Sequence, residues 1–376
     1  PSSTLSPSSA ASDVYKRQSY ESASKAFLLI DTEGNTTVKI DDIYLSGLIV
    51  GLARLDASTH IGMILDSGQV AVVNVKEESL SNTISIEPCS AVFELGQHKI
   101  ACIDKNTITL VHVYEFSDGT LKDVSQLNIG GASERILSVG YDGESLSSIQ
   151  MTIQKQSARV KYYAYSLEGE VKKSKDLLAF NVFTDIRYGI PNGAILPITI
   201  DGKIRILDTL RGSYVDTEGL GAIITLPVST STSTYVVAND GGVKLLKILN
   251  DNGEVIKSIS LGYTNVTCMH ASDDIVSIVS KGTGQTVIST YTADNLNHIR
   301  DILVNGEVET IKCYEDSIYY VYNDTLVCFN TSDSSQKSVN IDVYGLSIQD
   351  ADRVFLEVDN DYVVAVSYTH LRAHET

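Results

Sequence analysis

Histidine is the side chain of this sequence best suited to metal binding and proton transfer near neutral pH. Two of the seven histidines lie within residues 367–376, and the other five are scattered along the chain. No HxxxH or HExxH spacing would bring two of them onto one helical turn, so the sequence predicts no helix-borne zinc site. A site assembled from distant segments would leave no such spacing. The scattered histidines are His60, His98, His112, His270 and His298, and we predict that His112, inside the apolar segment TITLVHV, is a packed strand residue.

The glycine-rich and acidic segments contain no catalytic motif. Residues 281–284 (KGTG) lack the GxxxxGK[ST] pattern of a phosphate-binding loop, and we interpret them as a hairpin turn. Residues 250–254 (NDNGE) are interpreted as a turn and not as a calcium loop. The acidic pairs at 41–42 and 273–274 are interpreted as solvated loop charge and not as a general acid and base. No GxSxG motif is present. We therefore predict no catalytic, cofactor-binding or metal-binding residue and no enzymatic activity.

Two groups of closely spaced tyrosines are the other chemically notable feature. An RNA-stacking platform needs a basic surround, and the net charge of −18 disfavours binding to nucleic acid and to anionic lipid. We predict that these side chains fill the space between sheets, with their hydroxyls reaching the rim. The tyrosines are Tyr162, Tyr163, Tyr165, Tyr319, Tyr320 and Tyr322.

Four N-x-[ST] sequons are candidate glycosylation sites. Asn323 lies at a predicted hairpin tip, where its side chain would point to water, so it is the preferred candidate. Asn265 precedes the apolar Val266 and is expected to be shielded by the folded chain. Asn330 is the third candidate, and Asn35 completes the set.

The cysteines and the hydropathy of the sequence do not indicate the cellular compartment of the protein. Five cysteines without a CxxC pair do not form the framework of a disulfide-rich domain. No window holds the roughly 18 apolar residues that a membrane span requires. A hydrophobic fraction of 43% is enough for a sizeable core.

β-Hairpins are the elements that would position these residues. In the segment YVVANDGGVKLLKI, at residues 235–248, two apolar runs flank Asn239, Asp240, Gly241 and Gly242. These residue types tolerate the positive φ that a tight hairpin turn needs. The segment therefore predicts two antiparallel strands joined by a short turn.

The same design recurs about every 40 residues. Turn signals occur near residues 66, 104, 156, 201, 240, 283, 323 and 360, separated by 37 to 52 residues. Several short strands in each period indicate a propeller. We predict an all-β chain that forms a single β-propeller, or most of one, with about seven or eight four-stranded blades. A pair of β-sandwiches is the rival fold, but it seldom keeps one period through eight units. Because the chain has no Trp, it lacks the marks of WD40 and quinoprotein repeats.

Both ends differ from the repeat. Residues 1–18 are rich in Ser, Pro and Ala, and residues 367–376 interrupt a strand predicted at 362–366. We interpret both as foreign tails and assign the propeller to residues 19–366. Since the chain begins with Pro, we expect it to be an internal fragment.

Residues 99–212 carry several motifs that resemble one known family. They are DGTLK at 118–122, VGYDG at 139–143 and VKYYAYSLEGEV at 160–171, although Asp123 stands where the family often has Trp. In order and spacing this region resembles the lumenal propeller of ER membrane protein complex subunit 1. The resemblance implies a non-enzymatic scaffold in a complex that inserts membrane proteins. Its partners would be other subunits and client or chaperone proteins. It implies a lumenal location at the endoplasmic reticulum membrane, with anchoring through parts outside this fragment.

Two other classes of function remain as alternatives. One is a cytosolic propeller adaptor of the coat or tethering type that binds peptides. The other is a propeller enzyme of the quinoprotein or hydrolase type, which the absence of Trp and of a His/Glu cluster disfavours.

Overall fold

In the parts that it describes, the computed structural model is built of β-strands joined by turns. Those parts are residues 25–31, 37–43, 47–56, 59–96, 98–129, 134–181, 186–189, 194–262, 265–282, 284–308, 310–340, 353–358 and 362–368. In these ranges it has 33 strands and no helix. Accordingly, no helix with the length and hydropathy of a membrane span occurs in the described residues.

The strands form eight antiparallel sheets, seven of four strands and one of five. We number these sheets as blades 1 to 8 from the N-terminus. Blade 1 begins with β1 (Lys25–Asp31) and β2 (Thr37–Ile43); blade 2 is β3 (Ile49–Arg54), β4 (His60–Leu65), β5 (Gln69–Asn74) and β6 (Ser79–Ser85); blade 3 is β7 (Cys89–Gly96), β8 (Lys99–Asp104), β9 (Leu110–Ser117) and β10 (Thr120–Asn128); blade 4 is β11 (Glu134–Tyr141), β12 (Ser145–Gln154), β13 (Ser157–Ser166) and β14 (Val171–Asn181).

The second half of the chain repeats the pattern. Blade 5 is β15 (Ile186–Tyr188), β16 (Ile195–Ile200), β17 (Lys203–Asp208) and β18 (Ser213–Asp216); blade 6 is β19 (Ala222–Ile223), β20 (Val228–Ser229), β21 (Thr234–Asp240), β22 (Val243–Leu249) and β23 (Val255–Ser260); blade 7 is β24 (Val266–Ala271), β25 (Ile275–Lys281), β26 (Thr286–Thr292) and β27 (His298–Val304); blade 8 is β28 (Thr310–Tyr314), β29 (Ser317–Tyr322), β30 (Thr325–Asn330) and β31 (Gln336–Asn340); β32 (Arg353–Val358) and β33 (Tyr362–Tyr368) return to blade 1.

First strands of neighbouring blades contact one another around the ring, from β3 through β7 to β11 and from β20 through β24, β28 and β32 back to β3. We therefore label the strands of each blade A to D from the centre outward; in blade 6 the short strands β19 and β20 both pair with β21 and together form strand A. Middle strands such as β4, β5 and β8 are buried along most of their length, whereas β23 at the rim is mostly exposed. A sheet that packs against neighbours on both faces requires such continuous apolar runs. The predicted β-propeller is confirmed.

Seven of the eight predicted turns join the B and C strands of successive blades. Asn323 and Asp324 both have positive φ, 45° and 57°, as a two-residue hairpin turn demands. In the hairpin predicted at residues 235–248 the turn is shorter than predicted. β21 continues through Asp240, and only Gly241 and Gly242 lie outside the strands. The turn near residue 360 lies outside the described residues, and its flanking strands β32 and β33 are an A–B pair.

Blade 1 closes the ring by joining the two ends of the chain. Its order is β2-β1-β33-β32, so the C-terminal segment supplies the inner strands and the N-terminal segment the outer ones. β1 pairs with β33 from Phe27↔Val366 to Asp31↔Tyr362. β33 runs to Tyr368, two residues beyond the predicted boundary at 366. Residues 1–18 lie outside the described residues.

Tyrosine hydroxyls link neighbouring blades. Tyr162 donates to the carbonyl of Leu210 in blade 5 at 3.2 Å, and Tyr235 donates to that of Ala293 in blade 7 at 3.1 Å. The rings of Tyr319 and Tyr320 are buried within blade 8. The predicted space-filling role is confirmed for the four buried tyrosines of the two groups, whereas Tyr163 and Tyr322 are half-buried.

Candidate interaction clefts

The two faces of the propeller carry different charge. In an antiparallel four-stranded blade the A–B and C–D turns lie at one end of the strands, and the B–C turns and D–A connections lie at the other. We call these ends the AB/CD face and the BC/DA face. Cross-blade contacts agree with this assignment, since Ser231 and Asp273, from the A–B turns of blades 6 and 7, are hydrogen-bonded at 2.7 Å.

The AB/CD face is strongly acidic. Its described turns contain sixteen carboxylates and only two Lys or Arg side chains, Lys76 and Arg211. The carboxylates are Asp56, Glu77, Glu78, Asp118, Asp142, Glu144, Glu168, Glu170, Asp251, Glu254, Asp273, Asp274, Asp294, Glu315, Asp316 and Asp333.

The BC/DA face has fewer carboxylates, and some of them are paired. Its described turns hold six carboxylates and two lysines. Asp66 forms an ion pair with Lys105 at 2.7 Å, and Glu307 pairs with Lys281. Most of the acidity of the described turns therefore lies on the AB/CD face.

The outer cleft opens on the AB/CD face between blades 5 and 6. It encloses about 360 Å³. Its apolar lining includes Ile195, Ile206, Leu210 and Val215 from blade 5, and Asp251 from the C–D turn of blade 6 also lines it. Most of the other lining residues are polar, and they include Arg211, whose guanidinium lies 3.5 Å from the carboxylate of Asp208. The cleft therefore joins an apolar wall to a polar one.

The inner cleft lies on the same face, where blades 6, 7 and 8 meet near the centre of the ring. It encloses about 580 Å³ and is lined by Asp273, Asp274 and Glu315 together with His270 and Lys312. Thr230, in the A–B turn of blade 6, lines both clefts. The two clefts are therefore adjacent across a single turn.

His270 is held in its neutral form at the inner cleft. Its Nδ1 accepts a hydrogen bond from the backbone N–H of Cys313 at 3.1 Å, which leaves the proton on Nε2. Burial is the main cause that lowers the pKa of His270 to about 4, and the nearby Lys312 lowers it further. The inner cleft therefore carries no positive charge from His270 at neutral pH.

This neutral histidine predicts a pH-dependent stability. Because the unfolded pKa is near 6.5 and the folded one near 4, the unfolded chain binds a proton in this window and the folded chain does not. Stability is therefore lost as pH falls from 6.5 towards 4, by about 2 kcal/mol at pH 5. Urea unfolding at pH 7 and pH 5 measures the loss. We expect the His270→Gln variant to lose less stability between pH 7 and pH 5, while the side-chain carbonyl at this position can still accept the hydrogen bond from Cys313.

His298→Gln is the matched control, because the His298 side chain is half exposed at the rim. The control should lose as much stability between pH 7 and pH 5 as the parent protein. Equal pH dependence in the His270→Gln variant and the parent would contradict the assignment to His270.

The sequon asparagines differ in how far their amides are engaged. Asn323 is exposed, and its Nδ2 makes one long contact, 3.4 Å, to the carbonyl of Asn305. Asn265 is exposed, so the expectation that it is shielded was wrong. The Nδ2 of Asn330 donates to Asp316 at 3.2 Å, and its Oδ1 accepts from the N–H of Ser332 at 2.8 Å. A glycan on Nδ2 of Asn330 would compete with its hydrogen bond to Asp316. Asn35 lies outside the described residues.

The other residues considered in the sequence lie in a strand or in a turn. His112 is a packed strand residue, as predicted; its side chain is 3% exposed, and Nδ1 lies 3.1 Å from Asp123. Asp273 and Asp274 are exposed turn residues, as predicted. The described residues contain no group of three or more His, Cys, Asp or Glu side chains arranged to hold a metal ion. The inner and outer clefts were not predicted, because Ser, Thr and Asp in turns give no local signal of them.

Comparison with known proteins supports the fold. No protein-family model and no curated protein sequence matches the chain. Saccharomyces cerevisiae Sqt1 is similar in structure, with a TM-score of 0.52 at 11% identity, covering 86% of this chain and 96% of Sqt1. Dihydro-heme d1 dehydrogenase NirN has a TM-score of 0.51 at 11% identity, covering 84% of this chain and 75% of NirN. At such low identity these similarities concern the fold alone.

Proposed function

We propose that this chain is a non-enzymatic interaction module, the lumenal propeller of a subunit of the ER membrane protein complex. The observation that carries the proposal is the sequence resemblance over residues 99–212. Its motifs each include turn residues: DGTLK contains the C–D turn of blade 3 and the start of β10, VGYDG joins the end of β11 to the A–B turn of blade 4, and residues 160–171 run from β13 through the turn to β14. Motifs that coincide with the ends of strands and their turns are consistent with a shared blade design.

The propeller also offers a surface suited to protein partners. The two adjacent clefts and the acidic AB/CD face supply shape and charge for docking, while the BC/DA face is less charged. A scaffold subunit needs such a surface, and it needs no catalytic group. The proposed partners are other subunits of the complex and its client or chaperone proteins.

Lumenal location gives the proposal a direct test at Asn323. If the native protein is lumenal, we expect a glycan there, because Asn323 is exposed at a hairpin turn and its amide is barely engaged. Endoglycosidase treatment of the full-length protein should increase its gel mobility. Asn323→Gln should reduce that change.

Asn330→Gln is the control, since the Asn330 amide is already hydrogen-bonded on both sides. This variant should keep the mobility change. No change in the native protein, together with protease sensitivity in intact microsomes, would contradict the lumenal assignment and favour the cytosolic adaptor.

A further inference from the structure

We propose that the outer and inner clefts together bind an extended peptide segment in which an aliphatic side chain lies next to basic residues. This inference rests on the proposed interaction function and names its site and the chemistry of the partner. The aliphatic side chain occupies the outer cleft, and the basic side chains reach the inner cleft.

The outer cleft is suited to an aliphatic side chain. Ile195, Ile206, Leu210 and Val215 line it, and Leu210 is 40% exposed, so part of its apolar surface is available for contact. Covering that surface with another apolar group is favourable by about 25 cal/mol for each Å² removed from water. A Leu or Ile side chain is small enough for a cleft of about 360 Å³.

Carboxylates at the two clefts favour a cationic segment. Asp251, Asp274 and Glu315 are exposed, and none forms an ion pair with a Lys or Arg of the described residues. Asp273 is held in place by the N–H and hydroxyl of Ser231, at 3.0 and 2.7 Å. Lys312 is the opposing charge at the inner cleft, and neutral His270 adds none. Three carboxylates against one lysine leave the inner cleft negative.

A segment that fills both clefts must be extended, because the two clefts meet at Thr230. Since this one residue lines both clefts, a bound chain would pass over the A–B turn of blade 6 to fill them both. The other carboxylates of the AB/CD face would attract the same partner at longer range, with a dependence on salt. Charge and shape thus select the same class of ligand.

Fluorescence anisotropy with the purified full chain tests the proposal. The probe is a fluorescein-labelled peptide, GSLLKRKKGS, and its counterpart GSLLEDEEGS carries the opposite charge. We expect the basic peptide to bind at least about tenfold more tightly than the acidic one at low salt. The double variant Asp273→Asn and Asp274→Asn should weaken binding of the basic peptide about tenfold, because it removes two charges and keeps the side-chain shape.

The control double variant, Asp201→Asn and Asp324→Asn, removes two charges from the BC/DA face and should leave the affinity unchanged within about twofold. Leu210→Ser should weaken GSLLKRKKGS more than GSGSKRKKGS, which lacks the aliphatic pair. Equal affinity for the acidic and basic peptides, or equal weakening by both double variants, would overturn the proposal. Unchanged thermal melting of each variant shows that it is folded. A negative result here leaves the glycosylation test of the lumenal scaffold unaffected.

Discussion

A chain that ends after residue 361 is expected to lose its cooperative thermal transition or to melt at least about 10 °C below the full chain. The truncation removes β33, which pairs with β1 over five residues and with β32 over six. Without it, the N-terminal hairpin loses its connection to β32, and the ring opens between blades 2 and 8. Circular dichroism at the β-sheet band, followed during heating, measures the effect.

A second truncation, after residue 368, is the matched control. It removes only residues that follow β33 and leaves every described strand pair intact. We expect its melting temperature to stay within about 2 °C of the full chain. Similar melting of both truncated chains would contradict the closure of the ring by β33.

Tyr235→Ala should destabilise the protein by about 4 kcal/mol. The Tyr235 side chain is 1% exposed and belongs to the apolar cluster between blades 6 and 7, beside Val228 and Met269. Removing the ring leaves a cavity at this interface, and it also deprives the carbonyl of Ala293 of a donor. Urea unfolding followed by tyrosine fluorescence gives the free energy of unfolding.

Tyr235→Phe separates the two contributions, because it removes only the hydroxyl. We expect it to cost about 1 kcal/mol, the usual net value of one hydrogen bond. If the Ala and Phe variants were destabilised equally, packing of the ring between the blades would not be the source of the effect.

Local features of the fold could be predicted from the sequence, because they depend on neighbouring residues. The Asn323-Asp324 turn is an example, since both residue types tolerate the positive φ that it requires. Pairing of β1 with β33 is different, because Asp31 and Tyr362 are about 330 residues apart and no local pattern joins them. The sequence therefore predicted the blades and their approximate number, while the closure of the ring came only from the structure.

The partners of polar side chains were less predictable for the same reason. Lys247 lies in the hairpin that first indicated the repeat, yet its ammonium is buried and donates to the carbonyls of Gly219 and Leu220 at 3.2 and 3.0 Å. Asn330 satisfies the sequon pattern, but its amide is engaged by Asp316. In each case the partner comes from another turn, and only tertiary structure brings it near.

The joining of both chain ends in blade 1 has a consequence for synthesis on the ribosome. The hairpin of β1 and β2 emerges first, but its partner strand β33 emerges about 330 residues later. At a synthesis rate of roughly 5 to 20 residues per second, the edge of β1 waits about 15 to 65 s for its partner. During that interval its backbone N–H and C=O groups are open to pairing with any other exposed strand. The edge of β1 is thus exposed to misassembly until β33 has been made.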